Sequence, residues 1–145
     1  MINLYPLYFE DVNSGVSVKF QTFEITREMV DKHVELYGWD FPPRSLDEVI
    51  KHGLVASPIP LSKVAGQGGE ADWLMIKSML EYTAKFHKWF KVGDLVTAIT
   101  EVTGKEDVPK KKYGYVFGHQ VFLNQNGELC YERDLKYAVH KKSIE

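Results

Sequence analysis

Asp40 stands just before Phe41-Pro42-Pro43-Arg44, and His52 precedes Gly53 a little further on. A carboxylate and an imidazole are the groups most used to take and return a proton near neutral pH, so these two are candidates for general acid-base work. Each also has an ordinary structural use: an Asp ahead of prolines forms turns, and a histidine near a helix end suits the C-terminal dipole. Arg44 offers a planar fork to a phosphate or carboxylate, or is a solvated loop cation. His119 shares alternate positions with Tyr113, Tyr115 and Phe117. There it either reaches a ligand or is hydrogen-bonded in a core, and the aromatic stripe either lines a ligand tunnel or is core or dimer surface. Lys105, Lys110, Lys111 and Lys112 read as a basic loop suited to an anionic partner, or as a solubilising loop beside Glu106 and Asp107. Cys130 is the one cysteine and has no partner for an internal disulfide. No CxxC or HxxxH spacing offers a metal site, so no metal and no resident cofactor are expected.

The elements that must position these residues follow from patterning. With 145 residues, 44% of them hydrophobic, the chain can bury the core of one domain, and a 13% aromatic share favours strands. Leu7 to Phe9 is a weak first strand, Asn13-Ser14-Gly15 a turn, and Val16 to Ile25 a strand. Thr26 reads as an N-cap to a helix ending at Gly38, with Met29, Val30, His33, Val34 and Tyr37 on one face. Pro42-Pro43 break the chain into a loop, and Ser45-Leu46-Asp47-Glu48 is a capping box for a short second helix ending at Gly53. Ser57-Pro58 opens a third helix that stops near Gly66, with a loop over Gly66-Gln67-Gly68-Gly69. Beyond it the period becomes two. Ile76 to His87, Leu95 to Thr103, Tyr113 to Leu123 and Leu129 to Val139 read as long antiparallel strands, the last two joined by a type I′ turn at Asn126-Gly127.

Several segments of this second half resemble one family. Phe86-His87-Lys88-Trp89-Phe90-Lys91-Val92-Gly93-Asp94-Leu95, the following Glu101-Val102, Gly114 to Phe122 and Asn124-Gln125-Asn126-Gly127-Glu128 are similar to the MaoC-like hydratase/dehydratase family, and Val55-Ala56-Ser57-Pro58 resembles the start of its central helix. The resemblance covers most of the chain and implies an α+β hotdog fold, an antiparallel sheet wrapped around a central helix, as a single domain over 1–145. It also implies two such units, as a homodimer or as a heteromer with another hotdog subunit, with an acyl-CoA or acyl-carrier thioester at their interface. The reaction implied is reversible addition of water to a 2-enoyl thioester. That chemistry needs a base for water, an acid for C2, and donors for the enolate-like oxygen.

The family's catalytic stretch Gly-Asp-x-Asn-Pro-x-His corresponds here to Gly38-Trp39-Asp40-Phe41-Pro42-Pro43-Arg44. Without a gap, Trp39 takes the aspartate place and Arg44 the histidine place; a one-residue shift makes Asp40 the carboxylate, and His52 is the candidate substitute for the histidine. Pro58 stands where a glycine N–H would meet the thioester oxygen, so that contact falls to the N–H of Ile59 or of another residue nearby, with Ser57 a further substrate-binding candidate. Tyr115, His119, Lys111 and Arg44 complete the substrate-binding candidates, with coenzyme A or phosphopantetheine arriving as part of the substrate. The proline-bearing version resembles the silent half of two-part dehydratases, which leaves open an acyl-binding subunit beside an active partner; thioesterase activity has no supporting motif. A net charge of −2 gives no general attraction to nucleic acid or an anionic membrane. Without a signal-like N-terminus or a long apolar run, the chain is expected to be soluble and cytoplasmic.

Overall fold

The computed structural model describes residues 7–37 and 74–142. The expected second and third helices, and with them Asp40, Arg44, His52, Ser57 and Ile59, lie outside the described residues.

Helix α1 (Arg27–Tyr37) forms where its pattern predicts. Thr26 caps it, its Oγ1 accepting a hydrogen bond from the Met29 N–H at 3.2 Å and so satisfying one orphan donor of the first turn. Val30 and His33 are buried on the inner face, while Arg27–Asp31 and Glu28–Lys32 pair on the wet one. The strand expected over Val16 to Ile25 is instead two short ones, β1 (Ser17–Lys19) and β2 (Phe23–Glu24), both antiparallel to β4. Between them Phe20 N–H donates to the Ala98 carbonyl at 2.9 Å, so the chain stays close to β4 while Gln21 and Thr22 leave the ladder. Leu7 makes only a parallel bridge to Leu74, and Phe9–Asp11 is a turn of 3-10 helix where a strand was expected.

The four long strands are β3 (Ile76–Phe86), β4 (Leu95–Asp107), β5 (Tyr113–Leu123) and β6 (Leu129–His140). Their ladders are antiparallel, and the sheet runs β1-β4-β5-β6-β3 with β3 at one edge. The expected alternation is clearest in β5, where Gly114, Val116, Gly118, Gln120 and Phe122 are buried and every residue between them is half-buried on the opposite face. One buried cluster, around Phe23, Ile25, Val30, Phe90, Val96 and Phe122, joins α1 to one end of the sheet. A second, around Leu7, Phe9, Val102, Val116, Leu135 and Tyr137, closes the other.

The β5–β6 connection is not the type I′ turn expected from Asn126-Gly127. Gly127 has φ +74°, but Asn126 is absent from the positive-φ residues. The turn is wider: Gly127 N–H donates to Asn124 O at 3.0 Å, and Asn124 Oδ1 accepts from Asn126 and Glu128 N–H at 3.0 and 3.1 Å. Asn124 therefore supplies side-chain acceptors that make a longer loop competitive with the two-residue one. The Gly93-Asp94 step is likewise built by its side chain. Buried Asp94 accepts from Lys91 N–H and Gln125 Nε2, both at 3.0 Å, and Gly93 takes φ +95°.

Candidate functional site

The inner face of the sheet carries a polar stripe between the two apolar clusters. Arg133 on β6 projects inward with Tyr131, Leu135 and Tyr137, and its Nε donates to Gln120 Oε1 on β5 at 2.7 Å. Gln120 Nε2 donates in turn to Thr100 Oγ1 on β4 at 2.9 Å. All three are buried, at 5%, 2% and 1% exposure, so each hydrogen bond offsets a desolvation cost that would otherwise oppose folding. Register creates the line, because Thr100, Gln120 and Arg133 are direct partners across adjacent strands. The Arg133 guanidinium then lies 5.8 Å from the Tyr82 ring centroid on the edge strand, within cation–π range.

Tyr82 belongs to a groove of about 530 Å³ along that edge, lined by Met79, Leu80, Glu81, Tyr82 and Thr83. It is shallow and open to solvent, lined by one stretch of a single strand, and the Arg133 guanidinium lies behind Tyr82. Met79, Leu80, Tyr82 and Phe86 are exposed apolar residues on this strand, an uncommon concentration for a free surface. A face of this character can take an acyl chain, a further strand, or both.

The opposite face holds a second constellation of chemical groups. His119 Nδ1 lies 2.8 Å from Asp134 Oδ1, a distance at which its N–H tautomer donates, and its Nε2 is 3.9 Å from Glu132. Glu132 also meets His87 Nε2 at 2.9 Å. Alternating imidazoles and carboxylates of this kind can hold or pass protons. They lie in the open on the sheet face turned away from the apolar clusters, and they tie β5, β6 and the end of β3 together.

Of the candidates that are described, Tyr115 and His119 share that outer face, and neither lies on the groove. Tyr115 is covered by the Lys136 ammonium at 4.4 Å and packs against Tyr113 with centroids 6.0 Å apart. Lys111 is exposed in the β4–β5 turn with Lys110 and Lys112. Lys105 does not belong to that loop: it is on β4, on the inner side of the sheet, donating to the Phe9 carbonyl at 3.2 Å and lying 4.7 Å from the Phe9 ring centroid. The strand continues past Thr103 because the β4–β5 pairing resumes beyond an irregularity between Val102 and Gly104. Burial pushes the Cys130 thiol up from its ordinary value, in keeping with an inert side chain. Among the described residues no group of three or more His, Cys, Asp or Glu is arranged to hold a metal ion, and no helix is long and apolar enough to cross a membrane.

Sequence reasoning missed Arg133, Gln120, Glu132 and Asp134. A signal for Arg133 existed, since it falls on the same alternate positions as Tyr131, Leu135 and Tyr137. Glu132 and Asp134 had none, because only register places them beside His87 and His119.

No protein-family model matches the chain, and no curated protein matches it in sequence. Solved structures do. A protein described as a MaoC domain dehydratase from Chloroflexus aurantiacus is similar with a TM-score of 0.78 and 22% identity, over 97% of this chain and 42% of its own. RV0216 from Mycobacterium tuberculosis, which has a double hotdog fold, gives 0.77 and 18% over 99% of this chain and 47% of its own. The monoamine oxidase regulatory protein from Archaeoglobus fulgius gives 0.76 and 20%, over 95% and 97%. The chain thus spans about half the length of the first two and nearly all of the third. Its fold is the hotdog fold, an α+β arrangement shared with MaoC-like proteins.

Proposed function

We propose that the protein is an acyl-thioester hydratase or dehydratase, adding or removing water across a 2-enoyl group carried on coenzyme A or an acyl-carrier protein. The observation that carries this reading is the likeness, over 97% of the chain, to a protein described as a MaoC domain dehydratase. The exposed apolar side chains Met79, Leu80, Tyr82 and Phe86 at the β3 edge support it as a place for an acyl chain. Fold alone does not specify chemistry, so the reaction rests on the segments that resemble the family and on Asp40. In this reading Asp40 does the proton work with His52, Ile59 N–H beside Ser57 meets the thioester oxygen, and Arg44 with Lys111 takes the phosphates of the carrier group. The protein needs no resident cofactor, because the carrier group comes with the substrate. It works as two hotdog units.

Hydration of short- and long-chain 2-enoyl-CoA by the purified protein tests this directly. Asp40→Asn should lower turnover about 10²–10⁴-fold, the usual share of general acid-base catalysis, with an unchanged unfolding transition. Equal rates in both proteins overturn the proposal.

A second reading is favoured by one specific departure, Trp39 and Arg44 in the family's aspartate and histidine places with Pro58 at the start of the central helix. In it the chain is a silent acyl-binding subunit for an active hotdog partner. It then has no turnover alone and gains it on mixing with a subunit that keeps both residues; turnover by the isolated chain refutes this alternative.

A further inference from the structure

The outer face of the sheet sets lysines beside a row of aromatic rings. Tyr113, Tyr115 and Phe117 take alternate positions of β5, half-buried on the face turned away from the apolar clusters. The Lys77 ammonium lies 5.2 Å from the Tyr113 ring centroid, and the Lys136 ammonium lies 4.4 Å from that of Tyr115 and 5.9 Å from that of Phe117. Lys110, Lys111 and Lys112 are exposed in the turn that leads into Tyr113. None of these lysines makes an ion pair with a described residue, whereas Lys141 and Lys142 at the same end are held by Asp107 and Asp11. Against them stand Glu106, opposite Tyr115 on β4, and Glu81, opposite Lys136 on β3. The lysines are in excess, so this end is locally positive on a chain whose net charge is −2.

A cation over a ring face is held by the ring quadrupole, and a lysine stem is flexible. A phosphate arriving beside it draws the ammonium aside, and the ring face then accepts another flat group. A planar base joined to several phosphates therefore satisfies both halves of the surface. An acidic protein would supply carboxylates for the lysines but nothing flat for the rings. Lys77 also stands shortly before Met79, where the groove on the β3 edge begins. From Lys77 to Tyr82 the strand rises about 17 Å, a span that an extended pantetheine arm crosses.

We infer that Tyr113 and Tyr115, with Lys77, Lys112 and Lys136, bind the nucleotide head of coenzyme A, its base on the rings and its phosphates on the ammoniums. The arm then passes over the β3 edge and puts the acyl group at Leu80 and Tyr82. This names coenzyme A as the carrier for the proposed reaction and rests on that reading, although the site is tested by binding alone, without turnover.

Calorimetric titration of the full chain with adenosine 3′,5′-bisphosphate tests it. The bisphosphate and coenzyme A should bind in competition, and adenosine or inorganic phosphate should each bind about tenfold more weakly or worse, since each offers only half of the ligand's chemistry. Tyr115→Ala should weaken bisphosphate binding about tenfold, the share of one base–aromatic stack, while Tyr115→Phe keeps it. Lys77→Gln and Lys136→Gln should each weaken it about two- to fivefold, as the loss of an exposed ion pair does, and should lessen its dependence on salt. If Tyr115→Ala does not fold, the two exposed lysine variants decide. No binding of the bisphosphate, tighter binding of ATP than of the bisphosphate and coenzyme A, or affinities unchanged in the variants would overturn the inference. Failure of the proposed reaction shows differently, as a chain that binds the bisphosphate yet does not hydrate enoyl-CoA.

Discussion

Arg133 is a buried cation held by its neighbours on the inner face of the sheet. Its Nε–H, buried at the centre of the sheet, has Gln120 Oε1 as acceptor, and Gln120 in turn needs Thr100. Gln120→Leu keeps the volume but removes the acceptor, leaving a buried donor of a charged group without this bond. We expect a loss of about 1–3 kcal/mol, read as a lower urea midpoint with an unchanged slope. Glu128 shows the opposite, exposed case. Lys88 donates to it at 2.8 Å, and with Asn124 and Asn126 holds its carboxyl at about 2 instead of 4.5. A depressed pKa contributes stability that is fully present above pH 4.5 and is lost as the pH falls toward 2. Glu128→Gln should therefore flatten the dependence of the unfolding midpoint on pH across that window; an unchanged slope would show that the Lys88 contact does not persist in solution. The inward place of Arg133 was legible in the strand's alternation, whereas the Glu128 contacts were not, because Lys88 is distant in sequence.

At the scale of elements, local chemistry decided most boundaries. Thr26 starts α1 because its hydroxyl meets a free N–H, and β5 keeps the limits that its alternation predicts. Where a boundary moved, a longer-range contact moved it. The segment expected as one strand from Val16 to Ile25 divides because its pairing with β4 lapses between Lys19 and Phe23. The N-terminal segment is held differently, by packing Phe9 over Gly114 on β5. A Cβ at Gly114 would collide with the Phe9 ring, which is itself buried beneath Lys105 and Lys141. Gly114→Ala should cost about 1–3 kcal/mol by overpacking, seen in denaturant melts, and Phe9→Leu should recover part of it by making room.

At the scale of the whole molecule, the sheet formed by the described residues ends in a strand with four exposed large apolar residues, Met79, Leu80, Tyr82 and Phe86. If association covers that edge, folding and assembly are linked, and the thermal midpoint should rise with protein concentration; a midpoint independent of concentration over a hundredfold range, on the order expected to matter for mass action, would contradict this. The sequence by itself determined α1 and the four long strands, the capping of α1 and the two faces of β5, because period and cap chemistry act over a few residues. It also carried the resemblance from which the hotdog fold was expected, and the structural likeness bears that fold out. Only the tertiary structure decided which polar groups meet. The Thr100–Gln120–Arg133 stripe, the His119–Asp134 and His87–Glu132 contacts and the place of β3 at the end of the described sheet each depend on strand order and register. Register is set by packing between segments far apart in the chain, and a one-residue slip would turn every one of those side chains to the other face.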